Sequence, residues 1–194
     1  MKRFIFVLIL SLVLLSQSFS QANFTQRLCK AAIELTKDIV IYDPSYYRIS
    51  YPNGDVPKGR GVCTDVVIRA YRKLGIDLQK LVHEDMKANF KIYPKIWGLK
   101  RTDTNIDHRR VPNLMTFFGR FGKTLSTKTN SSIYKPGDIV CWDLGNNTPH
   151  IGIVINKKSK DNKRYLIVHN VGYGQQISDC LFSYKIIGHY SYKK

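Results

Sequence analysis

The order of hydrophobic patterns along this 194-residue chain predicts an α+β fold, with N-terminal helices packed on a C-terminal antiparallel β-sheet. In the first half, apolar residues recur at three- to four-residue spacing, which is typical of amphipathic helices. From Pro136 onward the chain changes to short β-branched or aromatic runs separated by turn residues. Helices first and strands afterwards favour separate layers over alternating βαβ units.

The apolar spacing predicts helices over residues 24–41, 64–74 and 77–93, with Gly75 suited to a helix C-cap and Pro94 as a stop. Residues 111–121 are either a short helix or an irregular apolar segment. Strands are predicted over residues 138–143, 150–156, 164–171 and 186–192.

The N-terminus has the pattern of a secretory signal peptide, because Lys2 and Arg3 precede an apolar run that ends before small and polar residues. The run is too short to span a bilayer comfortably, although an uncleaved anchor is the alternative. We therefore expect residues 1–22 to be removed, residues 23–194 to form one domain, and the protein to be exported to the periplasm or the extracellular space.

The chain is strongly basic, with 31 Lys and Arg against 14 Asp and Glu and a formal charge of +17. Such a charge favours anionic partners, which for an exported protein are envelope polymers and, more weakly, the membrane surface. The lysines are scattered and are not interleaved with aromatic residues, so no nucleic-acid site is expected. We expect a monomer.

Cys63 is the predicted nucleophile, since it lies in Gly61-Val62-Cys63-Thr64-Asp65, where a glycine-containing loop enters a predicted helix. The first turn of a helix has unpaired backbone N–H groups and the positive end of the helix dipole. Both favour the thiolate, which is the reactive form of cysteine. The alternatives are a buried cysteine or one in a disulfide.

Two histidines on predicted strands follow Cys63, and a cysteine at a helix start followed by such histidines is the order of papain-type cysteine peptidases. We assign His150 as the general base and His169 as the residue that orients it. Asn170 is the alternative to His169, because alternation along a strand lets only one of the two face His150.

The chain has four cysteines, which in an oxidising compartment are normally paired in disulfides. If Cys63 is catalytic, one of the other three is unpaired, and Cys29 with Cys180 is one pairing. Cys141 lies in an apolar run and resembles a small buried hydrophobic residue. No C-x-x-C spacing occurs, and we expect neither a metal nor a cofactor.

The segments Lys135–Val140, His150–Val154 and Tyr165–His169 resemble the C-terminal half of the NlpC-type and CHAP-type cell-wall cysteine hydrolases. Nearly the whole chain after residue 22 resembles the bacterial family known as domain of unknown function 1287. The motifs that carry this likeness are Tyr51–Pro57, Gly61–Val66, Ile106–Leu114, His169–Gly172 and Gly188–Tyr190. Enzymes of the NlpC type usually have an acidic residue before the nucleophile, where this chain has Val62.

The resemblance implies a papain-like fold and a Cys63–His150–His169 triad that cleaves an amide bond in peptidoglycan, without a cofactor. Asp107, His108, Arg109 and Arg110 are then candidates for substrate binding, together with Asn170, since either arginine could hold a stem-peptide carboxylate. The alternative for this group is a structural salt-bridge cluster. Other functions left open are a non-catalytic wall- or partner-binding module, and a thiol hydrolase or acyltransferase acting on another amide or ester.

Overall fold

The computed structural model describes residues 23–193. The predicted signal peptide lies outside these residues. Within them, no helix combines the length and the apolar character needed to cross a membrane.

Four α-helices make up the first layer: α1 over residues 23–35, α2 Cys63–Arg72, α3 Leu78–Ala88 and α4 Val111–Phe121. Two of them, α1 and α3, end six and five residues before the ends that the apolar spacing predicted. The polar residues after residue 35 form a turn, and the side-chain amide of Asn89 hydrogen bonds to Asp85 at the end of α3. A 3-10 turn, Asp107–Arg109, leads into α4.

The second layer is a six-stranded antiparallel sheet, which confirms the predicted fold class. Its strands are β3 Lys123–Thr124, β4 Ile139–Asp143, β5 Pro149–Lys158, β6 Tyr165–Asn170, β7 Gln175–Ser178 and β8 Lys185–Ser191, in the spatial order β3-β8-β4-β5-β6-β7. The sequence patterns missed β3 and β7. A separate two-residue parallel pair, β1 Ile41–Tyr42 with β2 Arg60–Gly61, precedes α2.

Both faces of the sheet are covered. The helices pack on one face, where Ile151, Ile153 and Val168 join the main hydrophobic core with Val66 and Val67 of α2. The opposite face carries a smaller apolar cluster, covered by the segments around residues 134 and 181; its buried members are Tyr134, Val140, Trp142, Val154, Ile167 and Leu181. Alternate residues of β5 and β6 therefore point into two different cores.

Candidate active site

The two predicted active-site histidines form a direct pair. Nε2 of His150 on β5 lies 2.8 Å from Nδ1 of His169 on β6, and both side chains are buried. Antiparallel pairing of the two strands, with Ile153 opposite Val168, brings the rings together from positions 19 residues apart in sequence. One ring must donate its N–H and the other must accept.

Close approach of the two strands supports this pair. Gly152, two residues after His150, faces β6 so closely that a Cβ there would lie 2.7 Å from the Ile167 side chain and 3.2 Å from the His169 Cβ. Trp142 lies opposite His150 on β4, with the two ring centroids 5.8 Å apart. The buried indole of Trp142 thus covers part of the His150 ring.

Burial keeps both histidines neutral. It lowers the pKa of His150 to about 3, with repulsion by His169 as the second cause, and that of His169 to about 4. A pair of neutral imidazoles can share one hydrogen bond and leave one basic ring nitrogen available.

Cys63 is the first residue of α2, as the sequence predicted, and its side chain lies on the helix side of the sheet. The backbone of Ile151, the residue after His150, lies close enough to the thiol to lower its pKa, as do the backbone groups of Thr64 and of Cys63 itself. Among residues 23–193, no hydrogen bond links the Cys63 sulfur to either histidine ring. The thiol thus lies beside the first residues of β5.

The predicted lowering of the Cys63 pKa is wrong for this resting arrangement. The pKa of the thiol is raised to about 12, chiefly by burial and in smaller part by the negative charge of Asp65, and the nearby backbone groups only partly offset this. The helix start does supply the expected N–H groups, but desolvation of the thiolate outweighs them. The resting thiol of Cys63 is therefore neutral, as are the two imidazoles, which lie with Trp142 on the sheet face opposite the helix-side core that contains Cys63.

A buried ion pair holds the start of α2. Arg109 donates through Nε to Oδ1 of Asp65 at 3.0 Å and through Nη2 to Oδ2 at 3.1 Å, and the two side chains are almost completely inaccessible. Asp65 also accepts the backbone N–H of Val62 at 2.7 Å. Because Val62 precedes Cys63, this carboxylate fixes the loop that presents the thiol.

Asn170 connects this loop to the sheet. Its side-chain Nδ2 donates to the carbonyl of Gly61 at 3.3 Å, and its Oδ1 accepts the backbone N–H of Gly172 at 3.1 Å. His169 points to the opposite face and meets His150, so the strand alternation separates the two roles as predicted. Asn170 is fully buried, and its contacts are structural.

The four residues from Asp107 to Arg110, expected to bind substrate, are mostly internal. Asp107, His108 and Arg109 are buried, and the ion pair of Arg109 occupies the guanidinium edge that a substrate carboxylate would need. Burial raises the pKa of Asp107 and lowers that of His108 to about 3. These three positions support the structural alternative, because their polar groups serve the fold.

Arg110 differs from the three residues before it. Its guanidinium carbon lies 4.1 Å from the ring centroid of Trp97, which is itself 40% exposed, and burial lowers the pKa of Arg110. One guanidinium nitrogen, Nη1, is buried without a hydrogen-bond partner among the described residues. The hydroxyl of Thr64, the residue after Cys63, donates to the carbonyl of Arg109 at 3.1 Å. Because Arg110 follows Arg109, its backbone lies near the start of α2.

Two residues near the site were missed by sequence reasoning. Tyr42, which pairs with Gly61 across β1 and β2, is partly exposed and lies close enough to Cys63 for a thiolate there to raise its pKa, burial being the larger cause. Cys180 lies with its sulfur 3.7 Å from Nε2 of His169. A two-residue strand and a lone loop cysteine have no periodic signal that could have found them.

The four cysteines are all free thiols, so the Cys29–Cys180 pairing is absent from this arrangement. Cys29 and Cys141 are buried in the helix-side core, the latter as predicted. Residues 23–193 contain no cluster of three or more His, Cys, Asp or Glu side chains suited to a metal ion.

Residues 29–192 match the model of a family described as Domain of unknown function (DUF1287). The uncharacterized protein YijF of Escherichia coli (strain K12) is 51% identical over 172 residues, which cover 89% of this chain and 83% of the relative.

Solved structures share the fold at low identity. An N-acetylmuramoyl-L-alanine amidase from Bacteroides uniformis superposes with a TM-score of 0.55 and 16% identity, over 89% of this chain and all of the amidase. NlpC1 from Trichomonas vaginalis gives a TM-score of 0.45 at 14% identity, and this chain spans 45% of its length. The superposition with the amidase shows that the two proteins share the α+β fold that the sequence predicted.

Proposed function

Since the chain belongs to the DUF1287 family and shares its α+β fold with a solved amidase, we propose that it is an exported cysteine amidase or endopeptidase that cleaves an amide bond in peptidoglycan. The observation that carries this proposal is the buried His150–His169 pair on strands β5 and β6, together with a helix-start cysteine at the same end of β5. The fold shared with the Bacteroides uniformis amidase supports the choice of an amide in the cell wall.

In the proposed reaction, Nδ1 of His150 takes the proton of the Cys63 thiol while the sulfur attacks the carbonyl carbon of the amide. The oxyanion that forms accepts hydrogen bonds from backbone N–H groups at the start of α2. His150 then gives its proton to the leaving amine, and water hydrolyses the thioester to a free carboxylate. His169 holds the base in position throughout.

Substrate must complete this site. The resting thiol is protonated and has no hydrogen bond to His150, and catalytic hydrogen bonds commonly tighten only when substrate is bound. Proton transfer coupled to attack avoids forming a free buried thiolate, whose desolvation burial makes costly. The proposed enzyme therefore differs from one that keeps a preformed thiolate–imidazolium pair.

Of the four residues from Asp107 to Arg110, only Arg110 is proposed to bind a substrate carboxylate. Its guanidinium stacks on the partly exposed Trp97, and Nη1 has no partner within the described part of the chain. A stem-peptide carboxylate at this point would satisfy that donor with a charge-assisted hydrogen bond.

The basic charge and the predicted signal peptide support a place outside the cytoplasm, where anionic envelope polymers are available. A non-catalytic wall-binding module would need neither a paired His150 and His169 nor a thiol at the start of a helix. The paired histidines favour catalysis over that alternative.

Mass spectrometry of muropeptides after incubation with the purified protein tests the proposal. We expect new products with the wild type and with Cys29→Ala, which removes a buried thiol far from the histidines, and none with Cys63→Ala. The product masses identify the bond: the sugar-linked lactyl amide, a stem-peptide bond or a cross-bridge. Unchanged muropeptides with the wild type, or equal products with Cys63→Ala, would reject the proposal.

A further inference from the structure

The contact between Cys180 and His169 extends the histidine pair to a chain of three side chains. Nδ1 of His169 meets Nε2 of His150 at 2.8 Å, and on its other side Nε2 of His169 lies 3.7 Å from the Cys180 sulfur. Both ring nitrogens of the buried His169 are thus engaged. A neutral imidazole has one donor and one acceptor nitrogen, so the partner at one nitrogen constrains the proton at the other.

The position of Cys180 is fixed by its two neighbours. Asp179 accepts two hydrogen bonds from Arg164 at 2.6 Å each, and the carbonyl of Leu181 accepts the Trp142 indole N–H at 2.9 Å. Trp142 also packs against the ring of His150. The loop that carries Cys180 is therefore tied to β4, which neighbours the His150 strand, and to Arg164, the residue before β6.

Two proton arrangements fit these distances. In the first, His150 donates from Nε2 to Nδ1 of His169, and His169 donates from Nε2 to the Cys180 sulfur. In the second, every donor is reversed: Cys180 donates to His169, and His169 donates to His150. In the second arrangement the proton of neutral His150 is on Nδ1, and that nitrogen cannot take a proton from Cys63.

We propose that Cys180 is a positioning residue, whose sulfur accepts the Nε2 proton of His169 and thereby keeps Nδ1 of His150 free to act as the base. This choice between the two proton arrangements rests on the proposed function, since only the first arrangement leaves Nδ1 of His150 unprotonated. It also agrees with donor strength, because an imidazole N–H is a better donor than a thiol.

Nuclear magnetic resonance of the protein labelled with ¹⁵N-histidine tests this without substrate, because the two ring nitrogens of a neutral histidine differ in shift according to which carries the proton. In the wild type at pH 7, both His150 and His169 should carry the proton on Nε2. Cys180→Ala should shift the His169 signals toward a mixture of tautomers, and His150 should follow. Cys180→Ser, whose hydroxyl can still accept, should retain the wild-type tautomers.

Cys29→Ala is the matched control, because the Cys29 thiol makes a contact of the same 3.7 Å length, to the carbonyl of Val154, away from the histidines. It should leave both tautomers unchanged. Wild-type His169 protonated at Nδ1, or a Cys180→Ala spectrum identical to the control, would overturn the proposal even if the protein hydrolyses peptidoglycan.

Kinetics supply the second readout. Cys180→Ala should lower kcat/KM about three- to tenfold, as expected for one neutral hydrogen bond, and should change the acid limb of its pH profile. In Cys180→Ser, both kcat/KM and the acid limb of its pH profile should be close to those of the wild type. Predicted tautomers without hydrolysis would leave the role of Cys180 intact and reject the proposed function, whereas hydrolysis unaffected by Cys180→Ala would reject the role of Cys180.

Discussion

The two halves of the candidate site are held in different ways. The histidine half is built on regular strand pairing, in which β5 and β6 place His150 against His169. The cysteine half depends on polar contacts from distant segments: Arg109 on Asp65, Asp65 on Val62, and Asn170 on Gly61. One half is thus specified by the local sequence pattern, whereas the other requires an ion pair that the local pattern does not indicate.

The largest expected effect is on the cysteine half. Arg109→Met should leave the Asp65 carboxylate buried without its cation and lower the free energy of unfolding by about 3–5 kcal/mol. Arg164→Met removes an arginine from a more exposed pair with Asp179, and should cost about 1 kcal/mol or less. Denaturant unfolding of both variants measures the difference. Equal stabilities, with activity lost only in Arg109→Met, would show that Arg109 binds substrate.

The histidine half should be most sensitive where the strands approach closely. Gly152→Ala would place a methyl group 2.7 Å from the Ile167 side chain and 3.0 Å from the Val168 carbonyl, so β6 must move. We expect destabilisation of about 1–3 kcal/mol and loss of the hydrogen bond between the histidines.

Gly119→Ala in α4 is the control for this substitution, since its nearest neighbour would be 3.8 Å away and alanine favours helix. It should be neutral or slightly stabilising. Unfolding curves compare the two variants, and a Gly152→Ala protein as stable as Gly119→Ala would show that the strands can separate without cost.

The histidine half should also make stability depend on pH. In the folded protein the pKa of His169 is lowered to about 4, below the ordinary 6.5, so between these values the unfolded chain binds more protons. The free energy of unfolding therefore falls as pH falls from about 6.5 toward 4, by about 2 kcal/mol at pH 5 for this histidine. His169→Gln should lose less stability than the wild type between pH 7 and pH 5. Parallel curves of stability against pH would contradict the burial of a neutral His169.

Much of the fold could be predicted from the sequence, because its main elements have strong periodicity. The change at Pro136 predicted the two layers, and the apolar runs located β4, β5, β6 and β8 to within a few residues. The two-residue strand β3 was missed since it is too short for alternation, and the four-residue β7, Gln175–Ser178, lacks a β-branched or aromatic run.

The candidate site could be predicted less completely. Spacing and strand alternation correctly placed Cys63 at a helix start and separated His169 from Asn170. Two predictions failed because of burial. Arg109 is an internal partner of Asp65, and the pKa of Cys63 is raised although the helix start alone favours the thiolate. Both outcomes depend on residues far away in sequence, which a motif does not encode.

Detection of an acyl group on Cys63 tests the proposed covalent catalysis most directly. Wild-type protein incubated with muropeptides and quenched in acid should carry a substrate fragment as a thioester, located on Cys63 by peptide mass spectrometry. His150→Ala should form this adduct much more slowly, because the thiol loses its base. Muropeptide cleavage that proceeds with Cys63 unmodified, and at the same rate in Cys63→Ala, would show that Cys63 is not the nucleophile.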